Sequence, residues 1–148
     1  MGMIDISEKD RVPRVAIAKG EIELSVESIE AIKEKKVKKG DVFQVAEISA
    51  IQAVKKTPES LPHCHQIPIE SIEVDFEIES TKVTIRCEVK AIYKTGVEME
   101  ALSGVKTALL SIWDMVKYIE KDDEGQYPET NISNVKIIKK EKGVEEDG

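Results

Sequence analysis

The chain is poor in aromatic side chains, cysteine and histidine. One Trp, three Tyr and two Phe in 148 residues mean that Ile, Val, Leu and Ala must build the core. Two cysteines, Cys64 and Cys87, are too few for a disulfide framework, so a reducing cytoplasm is the expected setting. No apolar run approaches the ~20 residues that a membrane helix needs, and Met1-Gly2-Met3-Ile4-Asp5 lacks the apolar core of a signal peptide. No membrane association is expected. Positive charge is in the minority: 22 Lys and Arg against 29 Asp and Glu give a net charge of −7. That excludes the broad basic footprint of nucleic-acid binding but not a small anion held by a few local lysines. Neither a Walker-type loop nor a G-x-G-x-x-G string occurs, so a nucleotide would be bound by scattered cations.

What is present suits one domain with a real core: 41% of residues are hydrophobic and 34% charged. With no internal repeat or linker, the reading is a loose arm over residues 1–13, one domain over 14–139, and a frayed charged tail over 140–148. Val15, Ile17, Ile22 and Leu24 mark a first strand, bent at Gly20. Ser25 can cap a helix running to Lys36. Gly40 can turn the chain at positive φ, and Asp41 can cap a second helix over Val42–Lys56, stopped by Pro58. Ile72, Val74, Phe76 and Ile78 alternate with Glu73, Asp75, Glu77 and Glu79, which is a half-buried strand. Its parity breaks upstream at Ile67 and Ile69, placing a bulge near Glu70-Ser71. Val83 to Ala91 alternates likewise, and the two pair as a hairpin through Ser80-Thr81. A long helix covers Glu98–Glu120, and Val135–Ile138 forms the last strand. Fusing the two early helices into one layer gives β-α-β-β-α-β, an α+β, ferredoxin-like antiparallel sheet with helices on one face.

The long helix carries the unusual chemistry. Leu102, Val105, Leu109, Ile112, Val116 and Ile119 share an apolar face. Opposite lies a narrow stripe of Glu100, Ser103, Gly104, Thr107, Ser111, Asp114 and Tyr118. Solvated faces usually carry long Glu and Lys, so small residues there suggest the close approach of a partner subunit or a ligand. Glu100 and Asp114 are fourteen positions apart, about 21 Å on a regular helix. One small-molecule site in one subunit cannot use both, which predicts at least a dimer with a shared site. Asp114 and Lys117 are an i, i+3 pair, read either as a surface ion pair or as an acid–base couple.

His63-Cys64-His65 holds both histidines of the chain, pinned between Pro62 and Pro68. Zinc is conceivable there, but the usual ligand spacings are absent. A rigid wall for a polar ligand fits better, and no metal site is assigned. Cys87, on the inward face of its strand, reads as a small core residue. Lys39, at a helix start beside the Gly40 turn, could hold a phosphate.

Lys39-Gly40-Asp41-Val42, Ile51-Gln52-Ala53-Val54-Lys55-Lys56-Thr57, Leu61-Pro62-His63-Cys64-His65, Thr95-Gly96-Val97-Glu98-Met99-Glu100-Ala101-Leu102 and Asp114-Met115-Val116-Lys117 occur in the order and spacing of the MoaC family, which the chain resembles from about Val15 to Lys121. That family is the cyclic pyranopterin monophosphate synthase of molybdenum-cofactor biosynthesis. The resemblance implies a ferredoxin-like fold, dimers assembled into a homohexamer, and a site at the dimer interface. It implies a GTP-derived substrate, a cyclised dihydro-GTP supplied by a radical-SAM GTP cyclase, with cyclic pyranopterin monophosphate and pyrophosphate as products. Asp114, Lys117, Lys39 and His65 match its catalytic or phosphate-handling positions. His63, Cys64, His65, Glu98, Met99 and Glu100 match its substrate-binding ones. No cofactor is implied, although magnesium could accompany the triphosphate. His63 and Gln66 stand where the family commonly has Leu and Pro, and the connection from Asp122 to Thr130 and the charged tail also depart from the family form. The alternatives are a non-catalytic nucleotide- or pterin-binding oligomer and a zinc hydrolase using His63 and His65.

Overall fold

The computed structural model describes residues 1–143, so the 144–148 part of the expected tail lies outside the described residues. Four strands and four helices follow in the order β1 (Val12–Glu23), α1 (Val26–Lys33), α2 (Val42–Lys55), α3 (Thr57–Ser60), β2 (Ile69–Ile78), β3 (Lys82–Tyr93), α4 (Glu98–Glu120) and β4 (Asn131–Lys142). The sheet order is β2-β3-β1-β4, every pairing is antiparallel, and α2 and α4 lie on one face of the sheet. The architecture is α+β and of ferredoxin-like type.

Local chemistry accounts for the element boundaries. The Ser25 side chain accepts from Ser28 N at the start of α1, and Asp41 accepts from Gln44 N at the start of α2, each satisfying an amide the helix leaves free. Gly40 turns at φ +121°. The parity break near Ser71 is a real bulge: the β2–β3 register shifts between Ile69 and Ser71. Glu79 N donates to Lys82 O at 2.8 Å and closes the hairpin.

Several boundaries differ from the sequence reading: β1 takes in Val12 and Pro13 of the expected loose arm, and β4 takes in residues 140–142 of the expected frayed tail. Helix α1 stops at Lys33, because Lys35 adopts φ +56° and Lys36 N turns back to Ala31 O at 2.9 Å; this left-handed ending is normally given to Gly. Pro58 does not simply end α2, but sits in the first turn of the short α3, where its missing N–H costs nothing. Strand β4 is three times longer than four alternating residues suggest, since pairing with β1 carries it from Asn131 to Lys142.

The buried core is Ala, Ile, Val and Leu, with Cys87 and Met115 and no aromatic ring. Phe43 and Phe76 stack at its rim, centroids 4.6 Å apart. Gly20 matters for closeness: a Cβ there would stand 2.7 Å from Val105 Cγ1 and 2.8 Å from Leu109 Cδ1, so α4 sits on β1 only because position 20 has no side chain. The small stripe of α4 has the same logic, and where Gly104 and Ser111 sit the close neighbours are α2 and β3 of the same chain. Glu100, Ser103 and Gly104 are buried. A Cβ at Gly104 would lie 2.8 Å from Cys87 Sγ and 3.0 Å from Val54 Cγ2, and Ser49 Oγ meets Ser111 Oγ at 3.5 Å. Leu102 and Ile119 are only half-buried; Ala101, Ala108 and Met115 take their places in the core.

Candidate functional site

Two clusters of chemically capable side chains occupy opposite ends of α4. At its N-terminal end is a cavity of about 450 Å³ lined by His63, Cys64, His65, Glu98, Met99 and Glu100, with Thr95 and Gly96. Arg14, buried in β1, donates from Nη2 to Lys94 O at 3.2 Å and from Nε to Tyr93 O at 3.4 Å, fixing the loop that leads into Gly96. At Gly96 the Glu98 carboxylate folds back into the space a Cβ would take, so a side chain there would displace that carboxylate. Glu98 Oε1 is buried and accepts no hydrogen bond, yet it pairs with the Lys140 ammonium at 3.2 Å, a charge contact of poor hydrogen-bond geometry.

Glu100 is 3% exposed. Desolvation pushes its carboxyl above the ordinary glutamate value, and the neighbouring Glu98 charge adds to the rise. The Cys64 thiol is raised for the same reason, by burial first and by Glu100 second. Cys87, in the core, is pushed up to about 12 by burial alone, which makes it inert packing.

The cavity has a wall that the sequence reading gave no part in the site. Gly2, Ile4, Asp5, Ile6 and Lys9 line it. The segment has no strand or helix before Val12. Ser7 N donates to Asp5 Oδ1 at 2.8 Å, and this Asx turn was the available signal.

At the other end, Asp114 is held by two lysines. Lys117 Nζ lies 3.0 Å from Oδ1 and Lys39 Nζ 3.3 Å from Oδ2; Lys39 also donates to the Asp114 carbonyl at 2.8 Å. Hydrogen bonds from Lys117 and then Lys39 hold the Asp114 carboxyl below the ordinary aspartate value, and the bond to Asp114 raises Lys117. All three side chains keep between two-fifths and three-fifths of their surface exposed, so their charges remain available to a ligand. The i, i+3 pair is thus part of a three-residue cluster, and Lys39 is delivered to it by the Gly40 turn. Tyr118, beside the cluster, accepts from Lys38 N at 2.9 Å.

The described chain unites His63, Cys64, His65, Glu98, Met99 and Glu100, and separately unites Lys39, Asp114 and Lys117. It does not unite the two groups: α4 is unbroken between them, which puts Glu100 and Asp114 about 21 Å apart along its axis. His65 falls with the cavity and not with the two lysines. No group of three His, Cys, Asp or Glu side chains able to hold a metal ion occurs among the described residues.

Residues 3–143 match the model of the MoaC family. The chain belongs to the MoaC family. Among its relatives is a probable cyclic pyranopterin monophosphate synthase of Archaeoglobus fulgidus, 54% identical over 97% of this chain and 92% of the relative. Another of the same name, from Thermococcus kodakarensis, is 53% identical over 97% and 92%. A third, from Methanothermobacter thermautotrophicus, is 52% identical over 95% and 88%, and is named a probable cyclic pyranopterin monophosphate synthase accessory protein. No helix among the described residues of this MoaC-family chain is long and apolar enough to cross a membrane.

Proposed function

We propose that this chain is a cyclic pyranopterin monophosphate synthase, converting (8S)-3',8-cyclo-7,8-dihydroguanosine 5'-triphosphate to cyclic pyranopterin monophosphate and pyrophosphate in molybdenum cofactor biosynthesis. The observation that carries this reading, within the family, is the Lys39–Asp114–Lys117 cluster. A ring rearrangement needs a proton acceptor and donor side by side, and Asp114 with Lys117 can serve as that couple. Closure needs attack of a ribose-derived hydroxyl on the α-phosphorus with pyrophosphate leaving, and Lys39 can neutralise charge on the departing group, joined by His65 only where a two-fold partner brings the two clusters together. His63, Cys64, Glu98, Met99 and Glu100 would hold the base and sugar.

The separation of the two clusters supports self-association. A two-fold partner would bring one subunit's cavity to the other's Asp114 end, and dimers assembled into a homohexamer fit this reading. The substrate would come from a radical-SAM GTP cyclase in the cytoplasm. Any magnesium would travel with the triphosphate.

The test is incubation of the purified protein with the cyclised dihydro-GTP, following pyrophosphate and the pterin product. Release of both in equal amounts is expected. Tight binding without turnover would overturn the synthase reading in favour of a non-catalytic pterin- or nucleotide-binding oligomer. A monomer in sedimentation at micromolar concentration would overturn the shared site.

A further inference from the structure

The connection between α4 and β4 carries more internal order than joining a helix to a strand requires. Asp122 Oδ1 accepts from both Glu124 N and Gln126 N at 2.9 Å. Asp122 N donates to Gln126 O at 2.9 Å, and Gly125 N to Asp122 O at 3.0 Å, with Gly125 at φ +77°. At its far end, Thr130 Oγ1 donates to the buried Glu120 at 2.8 Å. Between these anchors one side chain turns inward: Tyr127 is half-buried, whereas residues 121–126, 128 and 129 are exposed. Its ring meets Trp113 edge-on, centroids 5.2 Å apart and planes at 70°, the arrangement that aromatic quadrupoles favour.

Trp113 immediately precedes Asp114 and lies one helical turn before Lys117, so residues 113 and 117 are neighbours on the surface of α4. A ring docked on Trp113 therefore lies on the part of the α4 surface that Trp113 shares with Lys117. Tyr127 is also the last and smallest of the causes that raise Lys117, behind the hydrogen bond and charge of Asp114.

We propose that Tyr127 is a positioning residue for the Lys39–Asp114–Lys117 cluster: docked on Trp113, its ring walls the outer side of Lys117 and keeps the ammonium turned toward Asp114. Its kinetic consequences rest on the synthase reading; its effect on anion binding at the cluster does not. The Lys117 side chain keeps 42% of its surface exposed, and a lysine without a wall samples many rotamers. Removing the ring would leave the charge in place but spread its position.

The experiment compares the full chain with its Tyr127→Ala and Tyr127→Phe variants, by turnover and by titration with inorganic pyrophosphate. Trp113, the only tryptophan, reports the titration by its fluorescence. Tyr127→Ala is expected to lower kcat about tenfold with KM changed less than about twofold, and to weaken pyrophosphate several-fold. Tyr127→Phe, which keeps the ring, is expected to restore both to within about twofold of the wild type. Wild-type kcat and pyrophosphate affinity in Tyr127→Ala would overturn the proposal, as would a Tyr127→Phe variant as impaired as Tyr127→Ala. A wild type whose Trp113 emission does not respond to pyrophosphate would overturn it too. If the wild type binds pyrophosphate, Tyr127→Ala binds it weakly and neither turns over, the positioning stands and the synthase reading falls.

Discussion

Lys39 and Asp114 are 75 positions apart, yet the ammonium of one reaches both the carbonyl and the carboxylate of the other, at 2.8 and 3.3 Å. That contact joins the turn before α2 to the last third of α4 and turns an ordinary i, i+3 ion pair into a cluster with two cations around one anion. Because the three side chains are exposed, the cluster holds little of the fold together. Lys117→Ala, Asp114→Asn and Lys39→Ala should each keep the wild-type circular dichroism and thermal midpoint while turnover falls about 10²–10⁴-fold.

The same cluster sets a pH expectation. The Asp114 carboxyl lies below its unfolded value, so what it contributes is present above that value and is lost as pH falls through the lower folded one. Lys117 lies above its unfolded value, so its contribution is full below that value and is lost as pH rises through the higher folded one. The pair therefore stays ionised across the range from about pH 5 to about pH 9. In Lys117→Gln the Asp114 carboxyl should titrate at higher pH than in the wild type, which carbon-13 NMR of the carboxyl reads directly.

Glu100 works in the opposite sense. Its folded value is raised by burial, so the folded protein holds this proton more tightly than the unfolded chain. Its contribution favours the folded state at low pH and is lost as pH rises from the unfolded value through the folded one. Glu100→Gln, which cannot ionise, should gain stability relative to the wild type at pH 8 compared with pH 4, measured by urea unfolding at the two pH values.

Glu120 is a buried carboxylate with a purely architectural setting. It accepts from Ser25 N, the Ser25 and Ser28 hydroxyls and Thr130 Oγ1, tying the end of α4 to the start of α1 and the approach to β4. Glu120→Ala takes the acceptor from the buried Ser28 and Thr130 hydroxyls and from the half-buried Ser25 N. A loss of about 2–4 kcal/mol in urea unfolding is expected.

Gly104→Ala tests the seam between α4, α2 and β3. An alanine normally favours a helix over glycine by about 1 kcal/mol, but here the methyl would press on Cys87 Sγ and Val54 Cγ2. A net loss of about 1–2 kcal/mol is expected. Cys87→Ala in the same chain should return part of it, a coupling visible in a double-mutant cycle.

Much of this was legible because the signals are local. The alternation of Ile72 to Ile78 and of Val83 to Ala91 gives the hairpin, and the parity break gives the bulge at Ser71. Ser25 and Asp41 announce their helices through side chains that reach their own backbone. The remainder depends on contacts that no local pattern encodes. Nothing about Lys35 marks it as left-handed. The small residues Ser103 and Gly104 announce a close neighbour but not which one; at Gly104 the neighbours are Cys87 of β3 and Val54 of α2. The extent of β4 is set by β1, far away in the chain. For the site, the i, i+3 spacing exposed Asp114 with Lys117, whereas the arrival of Lys39 and the lining by Ile4, Asp5 and Lys9 needed the tertiary structure.

The position of β1 between β3 and β4 has a consequence for how the molecule is made. Its link to β4 spans large separations, as in the bond from Asn134 to Glu21 across 113 positions. During synthesis one edge of β1 can be covered once β3 has emerged, but the other stays bare for the whole time that α4 takes to appear. An unpaired edge rich in Val, Ile and Ala is where nascent chains pair with the wrong strand. Lys19, Glu21 and Glu23 on the outer face of β1 place charges along that edge, which discourages neighbouring nascent chains from pairing there before β4 closes the sheet.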